Sequence, residues 1–220
     1  VNLYTRMGDA ASFIFPQIQA IPKKTMARYL GNDAIAEYRF YLEKIIRNIP
    51  HTRSAEVEQI LAMAGESLAA ARQIFGQLDN ADLDFGTLID PEGTSQPLSH
   101  GNFTRLLMHK DRAFRRKVFD QYYGVYASHQ HTIAATLGAS VKKDLFYARA
   151  NRFSHAKQAA LFNDNVPANV YDTLVSSVKE NLAPLHAYLD FRKRALKLNE
   201  LHVYDTHVPL VGDVDFNLSY

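Results

Sequence analysis

Between Phe114 and Ala148 apolar positions recur at helical spacing with no proline to interrupt them. Phe114, Val118, Tyr122, Val125, His129, Ile133, Leu137, Val141, Leu145 and Ala148 follow one another at steps of three or four, and Asp111 stands where an N-cap would. The register predicts one helix of about 38 residues, roughly 57 Å long. Such a stripe has to be buried against other elements, so the chain is expected to be mainly α, a bundle of long helices.

The flanking segments agree. Ile35, Tyr38, Leu42, Ile45 and Ile49 form an amphipathic stripe over 33–49 that Pro50 ends. A second helix is predicted over about 55–78, with Ser54 as candidate cap and Glu56 and Glu58 near its positive end. Its inward face is Val57, Leu61, Ala64, Leu68, Ala71, Phe75 and Leu78. Over 82–99, short apolar pieces surround Asp90-Pro91-Glu92-Gly93, which reads as one small β-hairpin, followed by a short helix near 101–109. Asn165 and Pro167 suit the cap and first turn of a last long helix, with Val170, Leu174, Val178, Leu182, Leu185 and Leu189 on its face and a kink at Pro184. LHVYDTHVPLV, 201–211, reads as an extended segment rich in β-branched residues.

Composition narrows the function. Hydrophobic residues make up 47% of 220, enough for a sizeable core, yet every apolar run is broken by charge within a few positions, so no membrane span is expected. There is no cysteine, which removes disulfides and thiolate metal sites and fits the cytoplasm. Twenty-five basic residues against 23 acidic ones leave a formal charge of +2, which argues against nucleic acid as a partner. The chain opens on VNLYTRMGDAASF, without Met or a signal-peptide pattern, and closes on DVDFNLSY, where Ser219 would cap a helix only one residue long. Both ends are expected to lie inside a longer protein.

Residues that could carry chemistry are few. His202, Asp205 and His207 are of zinc-binding types, but on a strand 202 and 207 face opposite ways, and on a helix 207 lies about 140° from 202. Two surface histidines flanking a structural Asp is the simpler reading. None of the nine histidines is followed by Glu, so the His-Glu-x-x-His zinc signature is missing. His129 and His131 would sit about 200° apart on the long helix and cannot share an ion. Ser99-His100 and Ser154-His155 read as loop and helix-start residues, and neither a Gly-x-Ser-x-Gly nor a phosphate loop is present. Arg112, Arg115, Arg116 and Lys117 are placed on a solvated helix face, and Tyr122, Tyr123 and Tyr126 are read as packing. No catalytic, cofactor-binding or metal-ligating residue is therefore assigned within these positions.

YRFYLEKIIRNIPHT at 38–52, LSHGNFTRLL at 98–107, AATLGASVKKDLFYARANRFSHAKQAALFNDNVPANVYDTL at 134–174 and LHVYDTHVPLV together resemble the amino-terminal part of oligoendopeptidase F, a zinc metallopeptidase family related to the thimet oligopeptidases. The resemblance runs in order over nearly the whole chain. It implies a mainly helical, clam-like molecule that admits short peptides to a cleft. In that family zinc is held by a His-Glu-x-x-His helix and a downstream Glu, and the Glu of the motif activates the bound water. None of these residues has a counterpart here, so the resemblance implies zinc and short peptide substrates for a parent protein, with these residues inactive without the missing carboxy-terminal catalytic region. It also implies a division into an amino-terminal helical region, 1–109, and a long-helix region, 110–220, that begins the catalytic domain. The stretch 201–211 would be a connector toward the zinc region; Tyr204 and Asp205 fit it, whereas His207 stands where another residue, often aromatic, is expected. A stand-alone helical module that docks peptides or proteins is the alternative.

Overall fold

The computed structural model describes residues 3–11 and 13–211. Ser219 and its neighbours lie outside them. The chain forms two compact units, one from Val1–Leu68 with Val141–Ala168, the other from Ala69–Ser140 with Asn169–Tyr220. The mainly helical class holds, with a single small antiparallel sheet among the described residues.

In the first unit α1 (Leu3–Ala11), α2 (Ile14–Gln19) and α3 (Lys23–Leu30) precede a 3-10 helix, Asp33–Tyr38, and α4 (Arg39–Arg47). The helix predicted over 33–49 is thus two pieces. Asn32 accepts a hydrogen bond from the Ala34 N–H at 3.0 Å, and Ile35 leaves helical geometry at φ −120°, ψ 19°. This local turn shifts the face: Ile45 is buried as expected, but Tyr38 and Ile49 are exposed. Pro50 falls in a 3-10 turn, Ile49–His51, and α5 (Ala55–Gln77) begins and ends within a residue of its predicted limits. The Glu58 carboxylate reaches back to accept the Arg53 N–H at 2.7 Å, tying the entry of α5.

The second unit is built on β1 (Thr87–Ile89) and β2 (Ser95–Pro97), paired antiparallel with Leu88 opposite Gln96. Asp90 closes their turn by accepting the Thr94 N–H at 2.7 Å, and Gly93 supplies φ +85°. Then come α6 (His100–Leu107) and α7 (Arg112–Ser128). Asp111 caps α7 by accepting the Phe114 N–H at 2.6 Å, as predicted. Phe85, Leu98, Leu106, Leu107, Phe114, Val118, Tyr122 and Tyr204 form the core.

The single 38-residue helix does not exist: it breaks at His129 (φ −109°, ψ 12°), and α8 (Gln130–Ala150) follows. The His129 N–H turns to the Tyr126 carbonyl, three residues back, at 3.0 Å. The Val125 carbonyl, deprived of its amide, accepts Ser128 Oγ at 2.7 Å and His129 Nδ1–H at 2.9 Å. Side chains that satisfy the carbonyl make the interruption cheap. After α9 (Ala156–Phe162), Asn165 adopts φ +54° and closes the turn behind α9 rather than capping the next helix. The last predicted helix is also two, α10 (Ala168–Glu180) and α11 (Ala183–Ala195), because Pro184 enters the first turn of a new helix where its missing N–H costs nothing. Its expected inward residues Val170, Leu174, Val178 and Leu185 are exposed. Finally, 201–211 is no extended strand: Val203–Asp205 is a 3-10 turn.

Candidate functional site

Asp205 is fully buried, whereas His202 and His207 are exposed. Its carboxylate is saturated. Oδ1 accepts from Arg112 Nε at 3.1 Å and Arg115 Nη2 at 2.7 Å; Oδ2 accepts from Arg112 Nη2 and the His202 N–H, both at 3.0 Å. Burial alone pushes the carboxyl up, but the hydrogen bonds from Arg112, Arg115 and His202 outweigh it and hold Asp205 below the usual carboxylate value. The Asp205 hydrogen bond in turn raises Arg112.

Arg112 and Arg115 are therefore not on a solvated face as expected. Arg115 lies about 100° round α7 from Phe114, and segment 200–208 covers that side, leaving its side chain 3% exposed against 40% for Arg112. Arg115 Nε donates to the Tyr204 carbonyl at 3.1 Å, and Nη1 to the carbonyls of His109 and Lys110. From α11, Arg192 donates to the Asp205 carbonyl at 3.0 Å, to that of Val208, and to the Tyr188 hydroxyl. Arg116 and Lys117 are exposed as foreseen, Arg116 being paired with Asp120 at 3.4 Å. The arrangement is a clamp on a turn of chain.

It does not fit a metal ion. With every acceptor site of Asp205 taken by nitrogen donors and both histidines outside, the trio offers no ligand set. Among the described residues no group of three or more His, Cys, Asp or Glu is placed to hold one.

Ser99-His100 is a helix start. Ser99 caps α6, its Oγ accepting the Asn102 N–H at 3.3 Å. His100 faces the Asp79 carbonyl through Nε2 at 2.9 Å; a carbonyl only accepts, so Nε2 carries the proton and Nδ1 accepts from the Tyr122 hydroxyl at 2.7 Å. With both ring nitrogens engaged, His100 cannot serve Ser99 as a base. Tyr122 stacks between Phe85 (4.5 Å) and Phe103 (4.0 Å), and Tyr126 donates to Asp79 Oδ1 at 2.6 Å. Burial, then the bond to Asp79, raises the Tyr126 phenol and keeps it protonated. These tyrosines are packing, as read from the sequence. In Ser154-His155 the imidazole caps α9, Nδ1 accepting the Gln158 N–H at 3.0 Å.

The first unit holds a cleft of about 670 Å³, lined by His51, Tyr147, Asn151, Phe153, Lys157 and Phe162 among others. Sequence reasoning did not single out His51. Its Nδ1–H donates to the Asn151 carbonyl at 2.9 Å, its ring stacks on Phe153 at 3.8 Å with an 8° tilt, and Phe162 meets it edge-on at 4.6 Å. Arg47 Nη2 donates to the Phe162 carbonyl at 3.0 Å. The cluster joins 47–51 to 151–162, and both stretches lie in the segments that carry the resemblance.

Comparison with known proteins matches two stretches of the chain to family models. A model described as Oligopeptidase F matches residues 17–85, and one described as Peptidase family M3 matches 105–209. The chain belongs to peptidase family M3, whose amino-terminal part it matches. Within it the similarity is to the oligoendopeptidase F group. Oligopeptidase PepF of Bacillus subtilis is 36% identical over 220 residues, 100% of this chain and 33% of that protein. The structure of oligoendopeptidase-F from Enterococcus faecium is 37% identical with TM-score 0.84, covering 96% of this chain and 42% of that one. A solved chain from Chlamydophila abortus is 33% identical with TM-score 0.88, covering 98% and 36%. The chain thus spans about a third of the length of the curated relatives it matches.

Proposed function

We propose that this chain is the amino-terminal portion of a zinc metalloendopeptidase that hydrolyses short peptides, its chemistry supplied by a carboxy-terminal catalytic region. The reading is carried by two family models matched in order along the chain, whose relatives are named oligopeptidases and oligoendopeptidases of about three times its length. The saturated Asp205 supports placing the zinc elsewhere, since its carboxylate is committed to Arg112, Arg115 and the His202 N–H and so to holding 200–208. In this reading the clamp fixes the connector toward the zinc region, and these residues make up an inactive part of the enzyme.

The matched segments, 17–85 and 105–209, also support a functional division near 109/110, into an amino-terminal helical region and the beginning of the catalytic domain. The chain has no cysteine, which supports a cytoplasmic setting. No helix among the described residues is long and apolar enough to cross a membrane.

The test compares the 220-residue chain with a form extended through the relatives' full length, each assayed on a quenched-fluorescent short peptide with and without a zinc chelator. The longer form is expected to cleave it in a chelator-sensitive manner and the shorter one to be inactive. Chelator-sensitive cleavage by the 220 residues would sink the proposal.

A further inference from the structure

All thirteen residues of α10 are exposed. A helix of that length is marginal in water on its own, because nucleation is costly and most helical stability in proteins comes from packing an amphipathic face. The face is present. On a helical projection Val170, Leu174, Val178 and Val175 fall within about 140° of one another, while Asn169, Thr173, Ser176 and Glu180 occupy the opposite side. Those four apolar side chains are 52%, 62%, 56% and 37% exposed in that order. On α11, in the same unit, Leu185, Tyr188 and Phe191 are exposed at 50%, 50% and 52%, at a spacing of three that puts them on one side of the helix. Large side chains exposed in rows on two successive helices mark an interaction surface, not scattered apolar residues.

We infer that the apolar face of α10, with Leu185, Tyr188 and Phe191 of α11, receives an apolar surface of the carboxy-terminal region that the longer relatives possess. The inference rests on the reading of this chain as part of a longer peptidase. That occupant is favoured because the matched relatives continue for about two thirds of their length beyond what this chain covers. It is favoured also because the segment that follows α11 is itself anchored: Arg192 of α11 holds the carbonyls of Asp205 and Val208, fixing the chain's course next to the exposed row. A covalently continuous partner meets this face at high effective concentration and needs few polar contacts to stay there.

Hydrogen–deuterium exchange at the amides of 169–180, in the 220-residue chain and in the longer protein, tests this. Exchange is expected to be at least about 100-fold slower in the longer protein, because the helix can then open only when the docked surface leaves. Equal exchange in both overturns the inference. So does slowing that requires added peptide substrate, which would make the face a peptide site, or slowing with concentration in the 220-residue chain, which would make it a contact between copies. A Leu174→Asp, Val178→Asp variant adds a second readout: the thermal midpoint of the 220-residue chain should be unchanged and that of the longer protein lowered. Peptide cleavage, measured separately, keeps the two claims apart. Chelator-sensitive cleavage with an unprotected α10 removes only this inference, and a protected α10 without cleavage removes only the proposed activity.

Discussion

Replacing Asp205 with asparagine tests the clamp with little change of shape. The amide keeps a carbonyl oxygen for one donor, so the loss is mainly the charge facing Arg115, whose side chain is 3% exposed and has no other carboxylate within reach among its described partners. Arg112, at 40% exposed, regains water and contributes little. Breaking a buried pair by removing one partner costs about 3–5 kcal/mol; with the partial replacement by the amide and Arg112 discounted, the lower end applies, about 3 kcal/mol. For a chain of this size that is a fall of roughly 6–12 °C in midpoint. Thermal and urea unfolding followed by far-ultraviolet circular dichroism suits a protein with no tryptophan. The Arg115→Met variant completes a double-mutant cycle, and the double variant should be more stable than the sum of the two single losses by over about 1 kcal/mol. If Asp205→Asn unfolds within about 0.5 kcal/mol of the parent, or the cycle is additive, the reasoning fails.

Because the Asp205 carboxyl is held below its ordinary value, the folded state binds fewer protons than the unfolded one in the acid range. Its contribution is fully present above the unfolded carboxylate pKa, about 4, and is lost as pH falls through the lower folded value. The urea midpoint of Asp205→Asn should therefore converge on that of the parent as pH drops below about 4. Asp111→Ala should cost about 1 kcal/mol through loss of the α7 cap, measured by chemical unfolding. His51→Ala removes a stack and a hydrogen bond, about 2 kcal/mol. Hydrogen exchange should quicken over 47–51 and 151–162 and stay unchanged over 203–208.

Periodicity located the helices because α5, α6 and α7 bury stripes that a single sequence displays, and it located the hairpin because Asp90 and Gly93 have specific turn chemistry. It joined α7 to α8 and α10 to α11 because an apolar register says nothing of hydrogen bonds. The break at His129 depends on two side chains satisfying the Val125 carbonyl, and the restart at Ala183 on where Pro184 falls in a turn. The reading of Asp205 as structural between two surface histidines was sound, but its partners were missed. Arg112 and Arg115 look like a solvated run until segment 200–208 covers their side of α7, a contact between positions about ninety residues apart. The legible signal was chemical: a carboxylate within an apolar run needs buried cations, and α7 and α11 carry arginines beside their apolar residues.

On the proposed reading, the chemistry of this protein's family lies outside these residues. The most direct measurement is the zinc content of the purified 220-residue chain after equilibration with zinc and removal of the free ion. Far less than one zinc per chain is expected, with unfolding unaffected by chelator. Retention of one zinc per chain, lost with chelator together with stability, would contradict that reading.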